Sequence, residues 1–259
     1  MLNFPPQRII CLTEETVETL YLLGEEKRIV GVTGYAVRPK RVRLEKQRVG
    51  SFVSGNIKKI KELKPELILT FSDVQANLTK QLILEGFNVI CFNQQSISEI
   101  FSMIKYLGSI VGNIKEAINL LKKIEKQINL IKKKSDKFKP KVYFEEWDDP
   151  TFSGIRWVSE LIEIAGGEDI FSNKSHGKLA MEREIQWSEV IEKNPDVILA
   201  SWCGKPVDID SIKRREGWGQ ISAIKSNRIH EIDSSIILQP GPASLTDGLK
   251  VLESLIRDQ

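Results

Sequence analysis

Two segments of the sequence, half a chain apart, share one pattern. Residues 57–72 read IKKIKELKPELILTFS, and residues 187–202 read WSEVIEKNPDVILASW. Each segment combines an amphipathic helix, a turn with proline, an acidic residue and a β-branched strand. Pro65 and Pro195 end the two helices, because proline disfavours the α conformation of the residue before it. The pattern indicates a duplicated unit in which helices alternate with strands.

Other strand-like segments recur in corresponding places of the two halves. RIICL (8–12) and KVYFE (141–145) each precede a predicted helix, and FNVICFN (87–93) and NRIHEID (227–233) follow the shared pattern. Strands that alternate with helices form parallel sheets with helical crossovers. The predicted fold class is therefore α/β, with two Rossmann-like lobes that are each built on a parallel sheet.

A long helix is predicted between the two halves. Apolar residues recur at helical spacing through the segment from 110 to 141: Ile114, Ala117, Ile118, Leu121, Ile124, Ile128 and Ile131. The segment fits one helix of about 25 residues and roughly 37 Å. Its other face is rich in lysine, which is typical of a solvated helix face. The predicted organisation is an N-terminal lobe over 1–110, a spine helix over 111–138 and a C-terminal lobe over 139–259.

Composition excludes several classes of protein. A net charge of +3 over 259 residues gives no argument for nucleic-acid binding. The chain lacks the roughly 20-residue apolar run of a membrane span. At the N-terminus a short apolar run is followed at once by Glu14 and Glu15, unlike a signal peptide. These features predict a soluble, cytoplasmic protein without membrane insertion. Its location would be periplasmic or surface-anchored if a leader had preceded Met1.

The cysteines do not indicate a disulfide framework or a zinc ribbon. Cys11, Cys91 and Cys203 are odd in number and far apart, and no C-x-x-C motif is present. Cys11 and Cys91 lie in apolar strand-like segments, and we interpret them as core residues.

Three further motifs resemble one protein family. They are GVTGYAVRP (31–39), SGNIKKIKELKPELIL (54–69) and ELIEIAGGEDIF (160–171). The chain resembles, over nearly its whole length, the substrate-binding proteins of ABC importers that have a rigid helical spine, and it is most similar to the vitamin B12-binding proteins. The resemblance implies a ligand cleft between the lobes and a corrinoid such as cobalamin as ligand. It implies no catalytic residues and no required cofactor.

Two positions depart from that family's pattern. The resemblance implies a surface glutamate in each lobe that docks on basic pockets of the importer. Lys58 stands at the first position, and Leu238 and Gln239 stand at the second. A lysine facing a basic pocket is repelled, so we predict no productive docking on a vitamin B12 importer.

Candidate ligand-binding residues follow the predicted strands. Ligands of open parallel sheets bind beyond the carboxyl ends of the strands. In the first lobe this rule selects Thr13, Glu14, Tyr35, Phe52, Phe71 and Asp73. In the second lobe it selects Glu145, Glu146, Trp147, Asp148, Trp202, Cys203 and Gln239.

The segment FEEWDDP (144–150) has three possible roles. Its carboxylates could accept hydrogen bonds from N–H groups of a ligand, cap loops as solvated acids, or bind a metal. Along a strand Glu145 and Trp147 share one face, and Glu146 and Asp148 share the other. A metal would require further ligands from elsewhere, so no metal site is predicted.

The aromatic residues could serve as ligand walls or as core. Tyr35, Phe52, Phe71, Trp147 and Trp202 could surround a flat ligand, although core packing is the simpler role for such side chains. Trp157 and Trp187 lie on helix-like segments and are interpreted as core residues.

Two alternative functions remain open. One is a ferric siderophore or haem binder of the same class, of which the haem version lacks an evident pair of His or Tyr ligands. The other is a cytosolic enzyme, such as a hydrolase or transferase, or a sensor that uses Cys203 with Glu145 and Glu146. A Cys203–His176 dyad has no third residue in the sequence to orient it.

Overall fold

A computed structural model describes residues 4–134 and 139–257. The last predicted residues of the spine helix, 135–138, lie outside the described residues. The chain divides into two compact units. Unit 1 comprises Met1–Gln94 and Ser98–Lys123, and unit 2 comprises Gln95–Ile97 and Ile124–Gln259. The predicted domain limits treat the spine helix as a separate segment, whereas the division between the units falls inside it.

Unit 1 is built on a parallel sheet. Its strands are β1 (Ile9–Cys11), β2 (Ile29–Thr33), β3 (Arg48–Gly50), β4 (Leu67–Phe71) and β5 (Val89–Phe92). Their order is β3-β2-β1-β4-β5, and every neighbouring pair is parallel. The central strands are apolar on both faces, as expected when helices cover both sides of a parallel sheet. All strands therefore direct their carboxyl ends to one edge.

The helices of this half follow the strands. They are α1 (Glu14–Leu22), α2 (Val42–Glu45), α3 (Ile57–Glu62), α4 (Ala76–Leu84) and α5 (Ile97–Ile110). The Asn56 side chain caps α3 by accepting a hydrogen bond from the Lys59 N–H at 3.0 Å. This cap fixes the start of the helix in the first copy of the repeated pattern.

The spine helix is shorter than predicted. Helix α6 (Ile114–Lys132) has 19 residues, which corresponds to about 28 Å. Gly112 adopts a φ of 75° and separates α6 from α5. The buried stripe of α6 begins at Ala117, while Ile114 and Ile118 are exposed. The division between the two units lies after Lys123, within this helix.

Unit 2 has a mixed sheet. Its strands are β6 (Lys141–Asp148), β7 (Thr151–Ser153), β8 (Glu168–Asp169), β9 (Val197–Ala200) and β10 (Ile229–Glu231). The order is β10-β9-β6-β7, with β8 paired to the start of β6. Strands β8, β9 and β10 are parallel to their neighbours, but β7 is antiparallel to β6. The helices are α7 (Arg156–Ala165), α8 (Trp187–Lys193), α9 (Ile209–Lys213), α10 (Ser222–Lys225), α11 (Ser234–Ile237) and α12 (Leu249–Arg257).

The segment FEEWDDP forms the end of a strand and a tight turn. Strand β6 was predicted to end near Glu145, but it continues to Asp148, and the chain then returns as β7. The register of this hairpin shifts between Glu145 and Trp147, which is the position of a β-bulge. The acidic residues are therefore fixed on a hairpin rather than on a free loop.

Four interpretations of core residues can be checked directly. Trp157 and Cys11 are buried, as predicted. Trp187 is 42% exposed, so its core interpretation was wrong; it lies at the start of α8, beside a surface cavity. Cys91 is also exposed, because it lies on β5 at the edge of the sheet. Among the described residues, no helix combines the length and the apolar character that crossing a membrane requires.

Candidate functional site

The residues selected in unit 1 lie at one edge of its sheet. Thr13 and Glu14 follow β1, Tyr35 follows β2, Phe52 follows β3, and Phe71 ends β4. Because all five strands are parallel, these positions share the carboxyl edge of the sheet. The rings of Tyr35 and Phe52 meet edge to face, with centroids 6.4 Å apart. The structure therefore places the predicted unit 1 residues at one edge.

Exposure separates these residues into two groups. Thr13 and Glu14 are buried, whereas Tyr35 is 45% exposed. Phe52 and Phe71 are half-buried, and Asp73 is exposed at the start of a short 3-10 helix after β4. The accessible part of this edge is therefore aromatic, with one carboxylate beside it.

Gln75 holds this edge together and was missed in the sequence. Its side-chain N–H groups donate to the carbonyl oxygens of Leu12 at 2.9 Å and of Phe52 at 2.6 Å. Its side-chain oxygen accepts the N–H of Phe71 at 3.0 Å. The buried amide thus links the ends of β1 and β4 to the loop after β3. A glutamine within the helical segment after β4 gives no sequence signal for this role, because the three partners come together only in the folded chain.

Glu15 is an unusual titratable group at the same edge. It lies in the first turn of α1 and is almost fully buried. Burial raises its pKa from 4.5 to about 7, although hydrogen bonds from Thr13 and Gln94 lower the pKa and the nearby Glu18 raises it. Among the described residues, Oε1 of Glu15 has no hydrogen-bond partner. This carboxyl group therefore takes up a proton close to neutral pH.

Glu145 occupies a buried ion pair in unit 2. It is 0% exposed, and both of its carboxylate oxygens contact guanidinium nitrogens of Arg215, one of them at 2.9 Å. The Tyr143 hydroxyl donates to it at 2.8 Å, and the Trp202 indole N–H donates at 3.2 Å. Burial, with the carboxylate beside it, raises the pKa of Tyr143 well above its ordinary value. A ligand N–H could reach Glu145 only by displacing one of these donors, so its direct role in binding stays a prediction.

Arg215 packs against two indole rings that meet each other edge to face. Its guanidinium carbon is 4.9 Å from the Trp187 ring centroid and 4.6 Å from that of Trp218. The arginine was not selected in the sequence, because a partner 70 positions from Glu145 leaves no local pattern. Its position sets both the charge balance and the aromatic packing of this region.

Glu146 forms a second ion pair that fixes the hairpin. Two nitrogens of Arg183 donate to its carboxylate at 2.6 and 3.0 Å. The same arginine donates to the Ser153 carbonyl at 2.6 Å, and the Ile155 N–H donates to Glu146 at 3.1 Å. Because Arg183 is itself buried, this pair joins β6, β7 and the segment before α8.

The third acidic side chain of β6 is part of a more open group. The Lys205 ammonium contacts Asp148 at 2.7 Å and lies 4.3 Å from the Trp147 ring centroid and 4.8 Å from that of Trp202. Both tryptophans were selected in the sequence, and both rings contact the ammonium of Lys205. Trp147 is half-buried, whereas Trp202 is 4% exposed and packs in the hydrophobic core of unit 2, as the alternative core role allows. Cys203 lies next to Trp202 in the exposed loop after β9.

A cavity of about 620 Å³ adjoins this region. Its lining residues all belong to unit 2 and are Asp148, Asp149, Pro150, Thr151, Glu184, Ile185, Gln186, Trp187, Ser188, Ser211 and Arg215. Arg215 is paired with Glu145, whereas no ion pair within the described part of the chain involves the carboxylates of Asp149 and Glu184. The cavity is therefore rich in acceptors and suits a ligand that donates hydrogen bonds.

The remaining predicted positions lie apart from these contacts. Gln239 is buried after α11, and Leu238 is half-buried. Lys58 is exposed in the first turn of α3. Within residues 4–134 and 139–257, no group of three or more His, Cys, Asp or Glu side chains is arranged to hold a metal ion.

The comparisons with known proteins agree on one family. The family described as "Periplasmic binding protein" matches residues 9–236. The uncharacterised ABC transporter substrate-binding lipoprotein YvrC of Bacillus subtilis is 27% identical, over 98% of this chain and 81% of its own. The vitamin B12-binding protein of Vibrio vulnificus strain YJ016 is 23% identical, over 93% of this chain and 87% of its own.

Solved structures share the fold. A possible iron-binding, periplasmic solute-binding protein of Staphylococcus epidermidis superposes with a TM-score of 0.83 and 26% identity, covering 98% of this chain and all of the other. Haem-binding proteins at 16–21% identity also share the fold, and that likeness concerns the fold alone. None of these matches supports the predicted cytoplasmic location, since the family is named for the periplasm and the Bacillus relative is a lipoprotein.

Proposed function

We propose, since this chain belongs to the periplasmic binding protein family, that it captures a cobalamin-type corrinoid and presents it to an ABC importer. The family consists of binding proteins rather than enzymes, so the alternative of an enzyme that uses Cys203 is not supported. A small-molecule ligand agrees with the relatives, which include vitamin B12-binding proteins. The identity of the ligand and the receiving importer are the proposed parts.

One observation carries the corrinoid proposal. Indole rings and acidic side chains meet at the ends of neighbouring parallel strands in unit 2, beside a cavity of about 620 Å³. Corrin rings carry many carboxamides, whose N–H groups suit acceptors such as Asp149 and Glu184. Open α/β sheets bind their ligands at this end of the strands.

An iron complex is the second candidate. The Staphylococcus epidermidis protein of possible iron-binding function is 26% identical to this chain. A ferric siderophore presents oxygen ligands and a compact metal centre instead of a ring with amide side chains. The acidic lining of the unit 2 cavity favours the corrinoid, because carboxylates repel an anionic siderophore.

Calorimetry with cyanocobalamin, cobinamide and an anionic ferric catecholate siderophore tests the proposal. We expect micromolar or tighter binding of a corrinoid. Trp202→Ala should weaken this binding by about one to two decades, because an aromatic contact and its buried area are lost. Trp157→Phe is the matched control, since Trp157 is buried in α7 and bonds the Ile237 carbonyl at 2.9 Å. Trp187 lines the cavity and is unsuitable as a control.

The titration decides the identity of the ligand and leaves the membership of the family unchanged. If neither corrinoid binds the wild-type protein and the siderophore does, the corrinoid proposal is wrong and the iron candidate replaces it. If a corrinoid binds and Trp202→Ala binds equally well, the ligand lies elsewhere on the protein.

The importer that receives the ligand is expected to dock on this chain differently from the vitamin B12 importers that the resemblance implies. Lys58 is exposed where the resemblance implies an acidic docking residue, and Gln239 at the second such position is buried. We expect no stimulation of a vitamin B12 importer's ATPase by the wild-type protein and some stimulation by Lys58→Glu. Stimulation by the wild-type protein would contradict this part of the proposal.

A further inference from the structure

We propose that Trp147, Asp148 and Trp202 form a binding site for a cationic nitrogen of a ligand, and that Lys205 occupies this site when no ligand is bound. The inference rests on the proposed function in one respect, namely that the strand ends of unit 2 contact the ligand. We call these three residues the cation site. The Lys205 ammonium lies 4.3 and 4.8 Å from the two ring centroids and 2.7 Å from Asp148. Two indole faces with one carboxylate are the surroundings that recognise organic ammonium groups.

The walls of the cation site are held in place independently of Lys205. The Trp147 indole N–H donates to the Asp149 carbonyl at 3.0 Å, and the Trp202 indole N–H donates to Glu145 at 3.2 Å. Asp148 ends β6, and Trp202 follows β9, which is paired in parallel with β6. Trp202 is 4% exposed and belongs to the hydrophobic core of unit 2, and Trp147 is half-buried and packs against that core. Since both rings are held by this packing and by their N–H groups, they keep their positions when Lys205 leaves.

Lys205 is the residue that a ligand cation can displace from the cation site. It lies in an exposed loop after β9, next to Gly204, which adopts a φ of 80°. Its side chain is 40% exposed. Exposed ion pairs and exposed cation–π contacts each contribute little to stability. A ligand cation can therefore exchange with the lysine at small cost.

Arg215 is an enclosed cation in the same unit and provides a contrast to Lys205. It also contacts two indole rings and a carboxylate, but its side chain is 4% exposed and that of Glu145 is 0% exposed. A ligand cannot exchange with a cation so enclosed. The difference in enclosure, with similar chemistry, is the reason for assigning ligand exchange to Lys205 alone.

The surroundings favour a cation over an anion. Displacing Lys205 leaves Asp148 without its partner, next to a cavity that also contains Asp149 and Glu184. An anionic ligand would meet only repulsion there once the lysine had moved. The cavity provides space for the remainder of the ligand beside the cation site. The expected class is therefore a molecule with an alkylammonium, quaternary ammonium or pyridinium group, which is a different ligand from the carboxamide-bearing corrinoid of the proposed function.

Tetramethylammonium chloride is a suitable probe of the cation site. Its binding is measured from the shifts of the indole N–H signals in NMR. Sodium chloride at equal ionic strength is the reference. Lys205→Ala should bind tetramethylammonium up to about fivefold more tightly than the wild-type protein, because the competing ammonium is removed. The signals of Trp147 and Trp202 should move most. Asp148→Asn in the Lys205→Ala background should weaken the binding again.

Lys174→Ala is the matched control. Lys174 also pairs with an acid, Glu189 at 3.0 Å, and lies 5.9 Å from the centroid of the Phe171 ring, and neither of these residues belongs to the cation site. We expect this variant to bind the probe as the wild-type protein does. Equal affinity in Lys205→Ala and wild type, or shifts confined to Trp187 and Trp218, would overturn the proposal.

A parallel titration with cobinamide separates this inference from the proposed function. If tetramethylammonium binds Lys205→Ala more tightly while cobinamide binds no variant, the corrinoid assignment is wrong and the cation site stands. If cobinamide binds and removal of Lys205 leaves tetramethylammonium binding unchanged, the function stands and the cation site is wrong.

Discussion

The two units place their candidate binding residues at equivalent positions but stabilise them by different interactions. In unit 1, the neutral amide of Gln75 joins three backbone groups, and Glu15 is buried with no ion pair to another described residue. In unit 2, the acidic side chains of β6 each have a basic partner: Arg215, Arg183 and Lys205. Duplication of a fold thus fixes where a site lies, while its chemistry diverges between the copies.

The comparison can be tested unit by unit, because all five tryptophans belong to unit 2. Tryptophan fluorescence therefore reports on unit 2 alone. Hydrogen exchange of α1 and α3 reports on unit 1. The expected effects below run from the largest to the smallest.

Removing Arg215 should destabilise unit 2 most. Arg215→Met leaves the Glu145 carboxylate buried without a counter-charge, which costs about 3–5 kcal/mol in free energy of unfolding. Urea unfolding followed by tryptophan fluorescence measures the loss. Arg214→Met, at the exposed neighbouring position, is the control and should change the free energy little. Adding Glu145→Gln to Arg215→Met should restore part of the stability, and a purely additive double variant would show that the two residues are not coupled.

Glu15 should make unit 1 less stable as the pH rises. Burial raises its pKa to about 7 from 4.5, so the folded state binds the proton more tightly than the unfolded state. The stability contributed by the protonated form is fully present below the unfolded pKa and is lost as the pH rises to about 7. Glu15→Gln should stabilise unit 1 by up to roughly 3 kcal/mol above neutral pH and by little near about pH 4.5.

Hydrogen exchange of α1 across this pH range measures the effect. Glu62→Gln, at an exposed position in α3, is the control. A stabilisation by Glu15→Gln that does not vary with pH would mean that the carboxyl group does not titrate in this range.

Gln75 should stabilise unit 1 by an amount that does not depend on the salt concentration. Gln75→Ala removes hydrogen bonds to two carbonyl oxygens and one N–H group, and should cost about 1–3 kcal/mol. Gln81→Ala, exposed in α4, is the control. If the loss for Gln75→Ala falls strongly with added salt, the contrast between a neutral unit 1 edge and a charged unit 2 edge is wrong.

Lys205 should contribute least to stability. Lys205→Ala removes an exposed ion pair and should change the free energy of unfolding by less than about 1 kcal/mol. Tryptophan-detected unfolding in parallel with Arg215→Met compares an exposed cation with an enclosed one. A loss as large as that of Arg215→Met would make Lys205 a structural residue.

Much of the fold could be predicted from the sequence. The repeated helix–proline–strand pattern and the strands RIICL and KVYFE predict the α/β fold, and the three family-like motifs predict the family. The hairpin β6–β7 was missed, because a three-residue strand after a proline turn lacks a long alternating pattern. Trp187 was misassigned, because helical spacing alone does not show which face of α8 meets the core.

The positions of the site residues could be predicted from the sequence, but their interaction partners could not. Trp147 and Trp202 could be selected because parallel strands end at a common edge. Their contact with Lys205, and that of Glu145 with Arg215, depends on loops that only tertiary structure brings to the sheet. The raised pKa of Glu15 likewise arises from burial, which an acidic residue at a helix start does not indicate.

Native mass spectrometry of the protein purified from its own host tests most directly whether unit 2 holds a small molecule at its strand ends. We expect the wild-type protein to carry one bound small molecule, released on activation, with the mass of a corrinoid. Trp202→Ala should lose most of this occupancy, and Trp157→Phe should retain it. Wild-type protein free of any small molecule, or equal occupancy in Trp202→Ala and Trp157→Phe, would contradict the assignment of the ligand to these strand ends.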